Sequence, residues 1–300
     1  MRSWSGSSAV PEAAPAGVVL LDKPAGVSSF AALRPLRAVY GKRLGHAGTL
    51  DPFATGLLLV LTGRATRLVD HLHGLDKAYA AVVQFGAETT TDDPEGERTA
   101  TGRVTDEAAV RAALPALTGK IEQVPPAASA VHVDGERAYR RFRRGEAVTV
   151  PPRTVTVHAL DLIRFDADAQ TAELEIVCGS GTYVRSLARD LGRTVGAGAH
   201  LSALRRTRIG PFRVEDAAAP DVVGAAAPRD VAWRPAAAIT AGLPQVALDA
   251  DQARAVAHGR GVPCPGEGPV ALLDDGGRLV ALGEAHVGQA RPRVVLEPAP

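Results

Sequence analysis

Residues 45–61 read GHAGTLDPFATGLLLVL, and this stretch decides how the rest of the chain is interpreted. The uninterrupted apolar run at its end, residues 57–61, predicts a short buried strand. Residues 41–56 contain four glycines and one proline, which predicts a loop. Asp51 precedes Pro52, so its backbone is biased towards extended geometry. A carboxylate on a glycine-rich loop beside a buried strand is suited to face a cleft, although Asp-Pro is also a common way to begin a turn.

Hydrophobic periodicity predicts a series of strands and helices on both sides of this stretch. Apolar runs and alternation predict strands at residues 17–21, 79–85, 154–165 and 171–178. Helical spacing and capping residues predict helices at residues 28–40, 65–72, 105–117 and 184–191. Pro35 lies inside the first of these helices. Because strands and helices alternate irregularly, we expect an α+β fold with a mixed sheet rather than a regular βαβ series.

The length of 300 residues suits one large domain and one small one. Residues 1–16 are rich in Ser, Ala and Pro and predict a disordered leader. Residues 17–235 then form the main domain, and residues 214–237 at its end are interpreted as a connector with little core. An Asp-Asp-Gly-Gly sequence at residues 274–277 lies between apolar runs and is a hairpin signal. Residues 236–300 are therefore expected to form a small β-rich domain.

Composition excludes several classes of protein. The two cysteines, Cys178 and Cys264, are too few for a disulfide scaffold or an all-cysteine zinc site, and a reducing cytoplasm is the default location. No apolar run is long enough to span a membrane. The sequence has no glycine-rich phosphate loop, no dinucleotide fingerprint and no metal-ligating spacing of histidines. We therefore expect neither a nucleotide cofactor nor a metal.

The net charge of +1 conceals two basic segments. Residues 136–146 carry five Arg and two Glu, and residues 200–213 carry four Arg and no acid. Guanidinium groups bind phosphates and aromatic faces stack on bases, so both segments are candidate contacts to an RNA backbone. The residues concerned are Arg137, Arg140, Arg141, Arg143, Arg144, Arg205 and Arg206. The first segment is equally consistent with a solvated amphipathic helix that turns Tyr139 and Phe142 inward.

Five motifs together resemble those of the TruB-type tRNA pseudouridine synthases. They are DKPAGVSS at residues 22–29, GHAGTLDPFATG at 45–56, KAY at 77–79, GTYVR at 181–185, and GAHL at 198–201 with LRR at 204–206. Their order and spacing match that family over residues 17–213, and an ordered set is far more specific than any single motif. The resemblance implies a mainly antiparallel pseudouridine-synthase sheet flanked by helices, followed by a small PUA-like RNA-binding domain.

The resemblance also implies an activity, the isomerisation of uridine 55 in the T-loop of tRNA to pseudouridine. Asp51 matches the family's catalytic aspartate, and Tyr79 matches the tyrosine that stacks on the flipped base. His46 matches a histidine that contacts the displaced RNA loop. The residues assigned to substrate binding are completed by Tyr183, Arg185, Leu204 and Lys23. We expect Arg185 to pair with Asp51 and keep it ionised at neutral pH.

Residues 120–150 resemble the insertion with which this family clamps the T-loop. The sequence departs from the family pattern at Ala47, Phe53, Ala128 and His132, where Thr, Leu, Tyr and Lys are common. Because these positions are not the ones matched to the chemistry, the departures bear on RNA affinity rather than on catalysis.

The implied reaction agrees with the expected absence of cofactors. Pseudouridine formation breaks an N-glycosidic bond, rotates the uracil and rejoins it through carbon, so nothing is oxidised or lost. Asp51 could act as a nucleophile, as in retaining glycosidases, or as a base on the ribose, and the sequence leaves both roles open. The base must leave its stack, which calls for an aromatic platform such as Tyr79, although core packing is the commoner role of a lone tyrosine.

The expected partner is the T-arm of tRNA, with no membrane and no protein partner required, and the protein is expected to be a monomer. Two other functions stay open. One is a non-catalytic RNA-binding or RNA-folding factor on the same scaffold, against which the intact set of matched catalytic residues argues. The other is a pseudouridine synthase guided by a separate RNA, which is disfavoured because residues 120–146 can supply a self-contained clamp.

Overall fold

The structure is a computed structural model that describes residues 15–227 and 229–296, so the expected leader lies almost entirely outside the described residues. The strands are β1 (Gly17–Lys23), β2 (Leu44–Ala47), β3 (Thr55–Thr62), β4 (Lys77–Phe85), β5 (Ala87–Thr89), β6 (Arg98–Thr101), β7 (Gly119–Gln123), β8 (His132–Val133), β9 (Glu136–Arg137), β10 (Arg153–Asp166), β11 (Thr171–Cys178), β12 (Ala199–Ile209), β13 (Phe212–Arg213), β14 (Trp233–Pro235), β15 (Gln245–Ala247), β16 (Val262–Pro263), β17 (Gly268–Leu273), β18 (Leu279–His286) and β19 (Gln289–Val295). The α-helices are α1 (Ser29–Ala32), α2 (Leu36–Tyr40), α3 (Val69–His73), α4 (Glu107–Ala113), α5 (Ala138–Arg143), α6 (Val184–Thr194), α7 (Pro220–Ala225) and α8 (Ala250–Ala257). Short 3-10 helices cover Gly63–Leu68, Leu114–Leu117, Val214–Asp216 and Ala236–Thr240.

A ten-stranded mixed sheet forms the body of the protein, as the sequence predicts. Its strand order is β14-β1-β3-β12-β4-β11-β10-β7, with β2 paired to β3 and β13 paired to β12. The ladders are antiparallel except for a short parallel contact between β3 and β12. That contact joins two antiparallel halves of the sheet, and the loop that carries Asp51 leads directly into it.

Strand β3 is buried on both faces. Leu57, Leu59 and Leu61 pack into one apolar cluster, whereas Leu58 and Val60 pack into another that includes α1, α2 and α7. Because both faces are covered, the strand is apolar without alternation, and the predicted buried strand is confirmed. The opposite half of the sheet packs against α4 and α6.

Three local predictions need correction. The helix predicted at residues 28–40 is interrupted where Pro35 lies, so that α1 and α2 are separate. The loop predicted at residues 41–56 contains β2, which pairs antiparallel with β3. Residues 214–237 are more than a connector, because α7 contributes buried Val223 and β14 extends the sheet beside β1.

Residues 124–152, between β7 and β10, leave the sheet and return to it. They include the β8–β9 hairpin and helix α5. Strand β7, at the start of the expected insertion, pairs with β10 and therefore belongs to the main sheet.

The C-terminal part forms a second sheet of five strands, in the order β15-β17-β18-β19-β16. Helix α8 packs against it and begins at a capping box formed by Asp249 and Gln252. Leu279 and Leu296 lie in the same apolar cluster as Leu57 of the main sheet. None of the helices in the described part of the chain is long and apolar enough to cross a membrane.

Candidate active site

The loop that carries Asp51 is fixed by hydrogen bonds on both sides of the aspartate. The Ser29 hydroxyl accepts from the Leu50 N–H at 2.8 Å and donates to the Leu50 carbonyl at 3.0 Å. The Pro52 carbonyl accepts from the ammonium group of Lys23 at 3.2 Å. With the backbone held at 50 and 52, the Asp51 side chain lines an open cleft of about 770 Å³.

Arg185, in the first turn of α6, holds the Asp51 carboxylate in place. Its Nη2 donates to Oδ1 of Asp51 at 3.1 Å, and its Nε lies 3.0 Å from Oδ2. Its Nη1 donates to Asp93 Oδ2 at 3.1 Å and to the Thr91 carbonyl at 2.9 Å, and Nη2 also reaches the Ala128 carbonyl at 3.1 Å. The side chains of Arg185 and Asp93 are 5% and 4% exposed, whereas that of Asp51 is 33% exposed. The pair is thus buried on the arginine side and open to the cleft on the aspartate side.

The pKa of Asp51 is raised above its ordinary value. Burial is the largest cause, and the nearby Asp93 charge adds to it. Arg185 and Lys23 lower the pKa of Asp51 but do not outweigh burial. The expected ion pair is therefore present, and the arginine offsets part of the desolvation of the carboxylate.

Tyr79 lies on β4 in the floor of the cleft and is 8% exposed. Beside it is Arg206, which we assigned to the RNA backbone, but which is 1% exposed. Its Nε donates to the Leu57 carbonyl and its Nη2 to the Gly48 carbonyl, both at 2.8 Å, and it also hydrogen-bonds the Tyr79 side chain. A guanidinium buried this way cannot reach a phosphate in solvent. Arg206 instead ties the floor of the cleft to the start of the Asp51 loop.

Gly56 allows β3 and β12 to approach closely below the Asp51 loop. It has a φ of +100°, and a Cβ there would lie 2.3 Å from the Arg206 carbonyl oxygen. Any side chain at this position would force the two strands apart, which explains the glycine that closes the motif.

Tyr183 and Leu204 also line the cleft. The amide of Gln123 fixes the backbone of Tyr183 by accepting from its N–H at 2.8 Å and donating to its carbonyl at 3.1 Å. The guanidinium carbon of Arg153 lies 4.8 Å from the centre of the Tyr183 ring. Strands β7 and β10 thus position the aromatic residue that precedes α6.

Outside residues 120–150, three other predicted site residues do not line this cleft. Lys23 is fully buried and donates to the carbonyls of Pro24, Val27 and Pro52, so it supports the loop. His46 lies on β2, half-buried, and its pKa is lowered mainly by burial. Arg205 forms a bidentate ion pair with Asp22, at 3.0 and 2.8 Å.

The clamp segment, residues 120–150, has five arginines in three different settings. Arg141 and Arg144 are neutralised by Asp134, Glu136 and Glu146, at distances of 2.7–3.1 Å. Arg137 and Arg143 line the mouth of the cleft together with Tyr139 and Phe142. Arg140 is exposed and donates to the Tyr139 hydroxyl at 3.3 Å. In this helix only Ala138 is buried, so its two aromatic residues face the cleft rather than the core.

Sequence reasoning missed the acidic partners of α6. Asp93 pairs with Arg185, and Asp92 pairs with Arg189 at 2.9 Å. The sequence did contain a signal for these pairs. Arg185 and Arg189 are four residues apart and therefore share one face of the predicted helix, so they can pair with the adjacent aspartates at 92–93. Gln123 and Arg153 were also missed, since a lone residue at a strand end carries no motif.

The side chains of the cleft suit a polyanion rather than a metal. Within residues 15–227 and 229–296, no group of three or more His, Cys, Asp or Glu side chains is placed to hold a metal ion. Cationic side chains in the cleft lining outnumber acidic ones. An aspartate, two tyrosines and surrounding guanidinium groups provide a carboxylate, aromatic faces and phosphate donors in one place.

Comparison with known proteins gives the same family over most of the chain. Residues 37–184 match the model of the TruB family pseudouridylate synthase N-terminal domain. Residues 185–227 match the tRNA pseudouridylate synthase B C-terminal domain, and residues 243–297 match the tRNA pseudouridine synthase II C-terminal domain.

Curated relatives named tRNA pseudouridine synthase B cover nearly the whole chain. The one from Thermobifida fusca is 47% identical over 291 residues, covering 93% of this chain and 98% of its own. The one from Streptomyces coelicolor is 41% identical over 297 residues, covering 94% and 97%.

Among solved structures, the fold is similar to that of an H/ACA ribonucleoprotein bound to a substrate RNA containing 2′-deoxyuridine. The TM-score is 0.72 at 24% identity, covering 94% of this chain and 86% of the other. A Cbf5-Nop10-Gar1 complex gives a TM-score of 0.71, also at 24% identity, covering 94% of this chain and 85% of the other. The family models and the relatives at 40% identity and above establish that the chain belongs to the TruB family of pseudouridylate synthases.

Proposed function

We propose that this protein is a tRNA pseudouridine synthase that isomerises uridine 55 in the T-loop of tRNA, with Asp51 as its catalytic carboxylate. The relatives named tRNA pseudouridine synthase B support tRNA as the substrate class. The observation that carries the proposal is the Asp51–Arg185 pair, which leaves one carboxylate open to a cleft lined by Tyr79 and Tyr183.

The reaction needs the bond between uracil N1 and ribose C1′ to break and a bond between C5 and C1′ to form. The hydrogen on C5 then leaves and N1 gains one, so the atoms balance without an oxidant or an energy source. Asp51 faces the ribose from the loop and acts on it, while Arg185 fixes the direction of the carboxylate. The raised pKa of Asp51 makes the ionised fraction, and hence the rate, pH-dependent.

The target base must be extruded from the RNA to reach this depth, which costs a few kcal/mol. Tyr79 supplies an aromatic face in the floor, and Leu204, in the same apolar cluster, also lines the cleft. His46 and Arg205 lie outside the cleft and could meet RNA only beyond the target nucleotide. Arg137, Arg140 and Arg143 at the mouth are suited to the RNA backbone, whereas the ion-paired Arg141 and Arg144 are less available.

Residues 17–235 form the catalytic domain in this proposal, and the PUA-like residues 236–300 provide further RNA contact. The two parts share an apolar cluster, and the Arg64 side chain donates to the Leu296 carbonyl at 3.2 Å. The clamp segment belongs to the same chain as the cleft, so the protein works as a monomer without a guide RNA or a protein partner. Its tRNA substrate places it in the cytoplasm.

The test uses a T-arm stem-loop labelled with tritium at C5 of every uridine. The wild-type protein should release tritium from one uridine into water, whereas Asp51→Asn should release none and still bind the stem-loop. Binding without release by the wild-type protein would favour an RNA-folding factor. Release by Asp51→Asn at the wild-type rate would remove Asp51 from the chemistry.

A further inference from the structure

Arg153 stands out among the cations of the cleft. It is the first residue of β10, opposite Gln123 of β7, and its guanidinium stacks on the Tyr183 ring at 4.8 Å. Its Nε and Nη2 atoms are shielded from solvent and have no hydrogen-bond partner within the described residues. Since buried polar groups in native structures are nearly always hydrogen-bonded, donors of this kind require an explanation.

Three neighbouring cations in the cleft are paired with acids or used by the backbone, although Arg185 Nε, 3.0 Å from Asp51 Oδ2, also makes no hydrogen bond. Arg185 donates hydrogen bonds to two carboxylates and two carbonyls. Arg206 serves two carbonyls, and Lys77 donates to the carbonyls of His73 and Leu75. Arg153 differs from them because its charge is neither paired with an acid nor used by the backbone.

Arg153 lines the cleft, so a ligand held in the cleft can approach its guanidinium. One face of the group is covered by the Tyr183 ring, so the donors at its edge remain. Gly181, with a φ of +81°, lies beside Nη1, and a Cβ at this position would be 3.8 Å from that atom, in ordinary van der Waals contact. Both residues line the cleft. A planar guanidinium with free edge donors fits a phosphate in a bidentate manner.

We propose that Arg153 binds a phosphodiester group of the RNA next to the target nucleotide, with its guanidinium held in place by the Tyr183 ring. The proposal rests on the proposed function for the identity of the RNA. Tyr183 is two residues from Arg185, so the phosphate is held close to the Asp51 carboxylate. Arg153 is thus a phosphate-binding residue that orients the strand on which the target lies.

The experiment measures binding of T-arm stem-loops in which each phosphodiester in turn is replaced by an uncharged methylphosphonate. All proteins carry Asp51→Asn, so that the RNA is not converted. Arg153→Gln is compared with Arg164→Gln, a matched control on the same strand, where an exposed arginine pairs with Asp166 and Glu173. We expect Arg153→Gln to weaken binding of the unmodified stem-loop about 10-fold, and the control to leave it unchanged.

At one position, the methylphosphonate should weaken binding by the protein that retains Arg153 but should not weaken binding by Arg153→Gln any further. At every other position, the replacement should change the affinity of both proteins equally. Arg153→Lys keeps the charge but loses the planar edge, so it should bind with intermediate affinity. If Arg153→Gln does not fold, the same comparison with Arg153→Lys decides, because a reduced effect at one position is still expected.

Equal effects of every methylphosphonate on the Arg153 protein and its variants would overturn the proposal. Failure of the proposed function would look different. Protein with Asp51 intact would then form no pseudouridine in the unmodified stem-loop, whatever the binding series shows for Arg153.

Discussion

Helix α6 carries an arginine at every fourth position, Arg185, Arg189 and Arg193. Because the ion pairs of Arg189 and Arg193 differ in burial, they test how burial changes the contribution of an ion pair to stability. Arg189 pairs with Asp92, and their side chains are 9% and 11% exposed. Arg193 pairs with Glu88, and its own side chain is 58% exposed. Both pairs have short contacts, 2.9 and 2.8 Å, but Arg189 is more buried and also pairs with Asp190 and donates to the Val124 carbonyl.

Arg189→Gln should lower the free energy of unfolding by about 3–5 kcal/mol, because it removes the ion-pair partner of the buried Asp92 carboxylate. Arg193→Gln, its matched control, should cost less than about 1 kcal/mol, since water screens an exposed pair. Urea denaturation followed by circular dichroism measures both.

The loss in Arg189→Gln should also depend on pH. Burial already raises the pKa of Asp92, and removal of the arginine raises it further. A carboxyl whose pKa is raised in the folded state binds more protons there than in the unfolded chain, so stability falls as pH rises through that range. The deficit of Arg189→Gln should therefore be smaller at acidic than at alkaline pH. A pH-independent loss equal to that of Arg193→Gln would refute the reasoning.

Three further results are expected. Gly26→Ala should cost only about 1–2 kcal/mol of left-handed strain in thermal unfolding, because nothing lies near its Cβ, whereas Gly56→Ala should cost more, because its Cβ would meet a carbonyl of β12 at 2.3 Å. The acid limb of kcat/KM should lie above the ordinary aspartate value of 3.8, because burial raises the pKa of Asp51, and a limb at or below 3.8 would contradict this. Arg143→Gln should reduce the salt dependence of tRNA binding by about one unit of slope in a titration, whereas the ion-paired Arg144 should leave the slope unchanged when replaced by Gln.

The sequence predicts the parts of this fold that depend on local pattern. The apolar run of β3, the alternation of β4 and the hairpin of β17 and β18 all form where expected. Strand β2 was not predicted, because its Gly-His-Ala sequence has no strand periodicity and forms only by pairing with β3. Helix α1 ends at Ala32 and Pro35 is the N-cap of α2, so the helix that the spacing predicts across Pro35 is divided in two.

The motifs predicted which residues lie around one site, but they did not predict which of those side chains are exposed to solvent. Asp51, Tyr79 and Arg185 come from distant motifs and lie around one cleft. Arg206 is indistinguishable from its neighbour Arg205 in sequence, yet one is fully buried and the other half-exposed. The difference arises from the carbonyl groups that β3 and the Asp51 loop present to Arg206, and these are fixed only by the tertiary fold.

The central claim is tested most directly by incubating the protein with an unmodified tRNA transcript and mapping pseudouridine at single-nucleotide resolution. Chelator is present, and Asp51→Asn serves as the matched control. We expect one modified position, uridine 55 of the T-loop, in the wild-type reaction and none in the control. Modification elsewhere, or no modification of a transcript that the protein binds tightly, would contradict the proposed function.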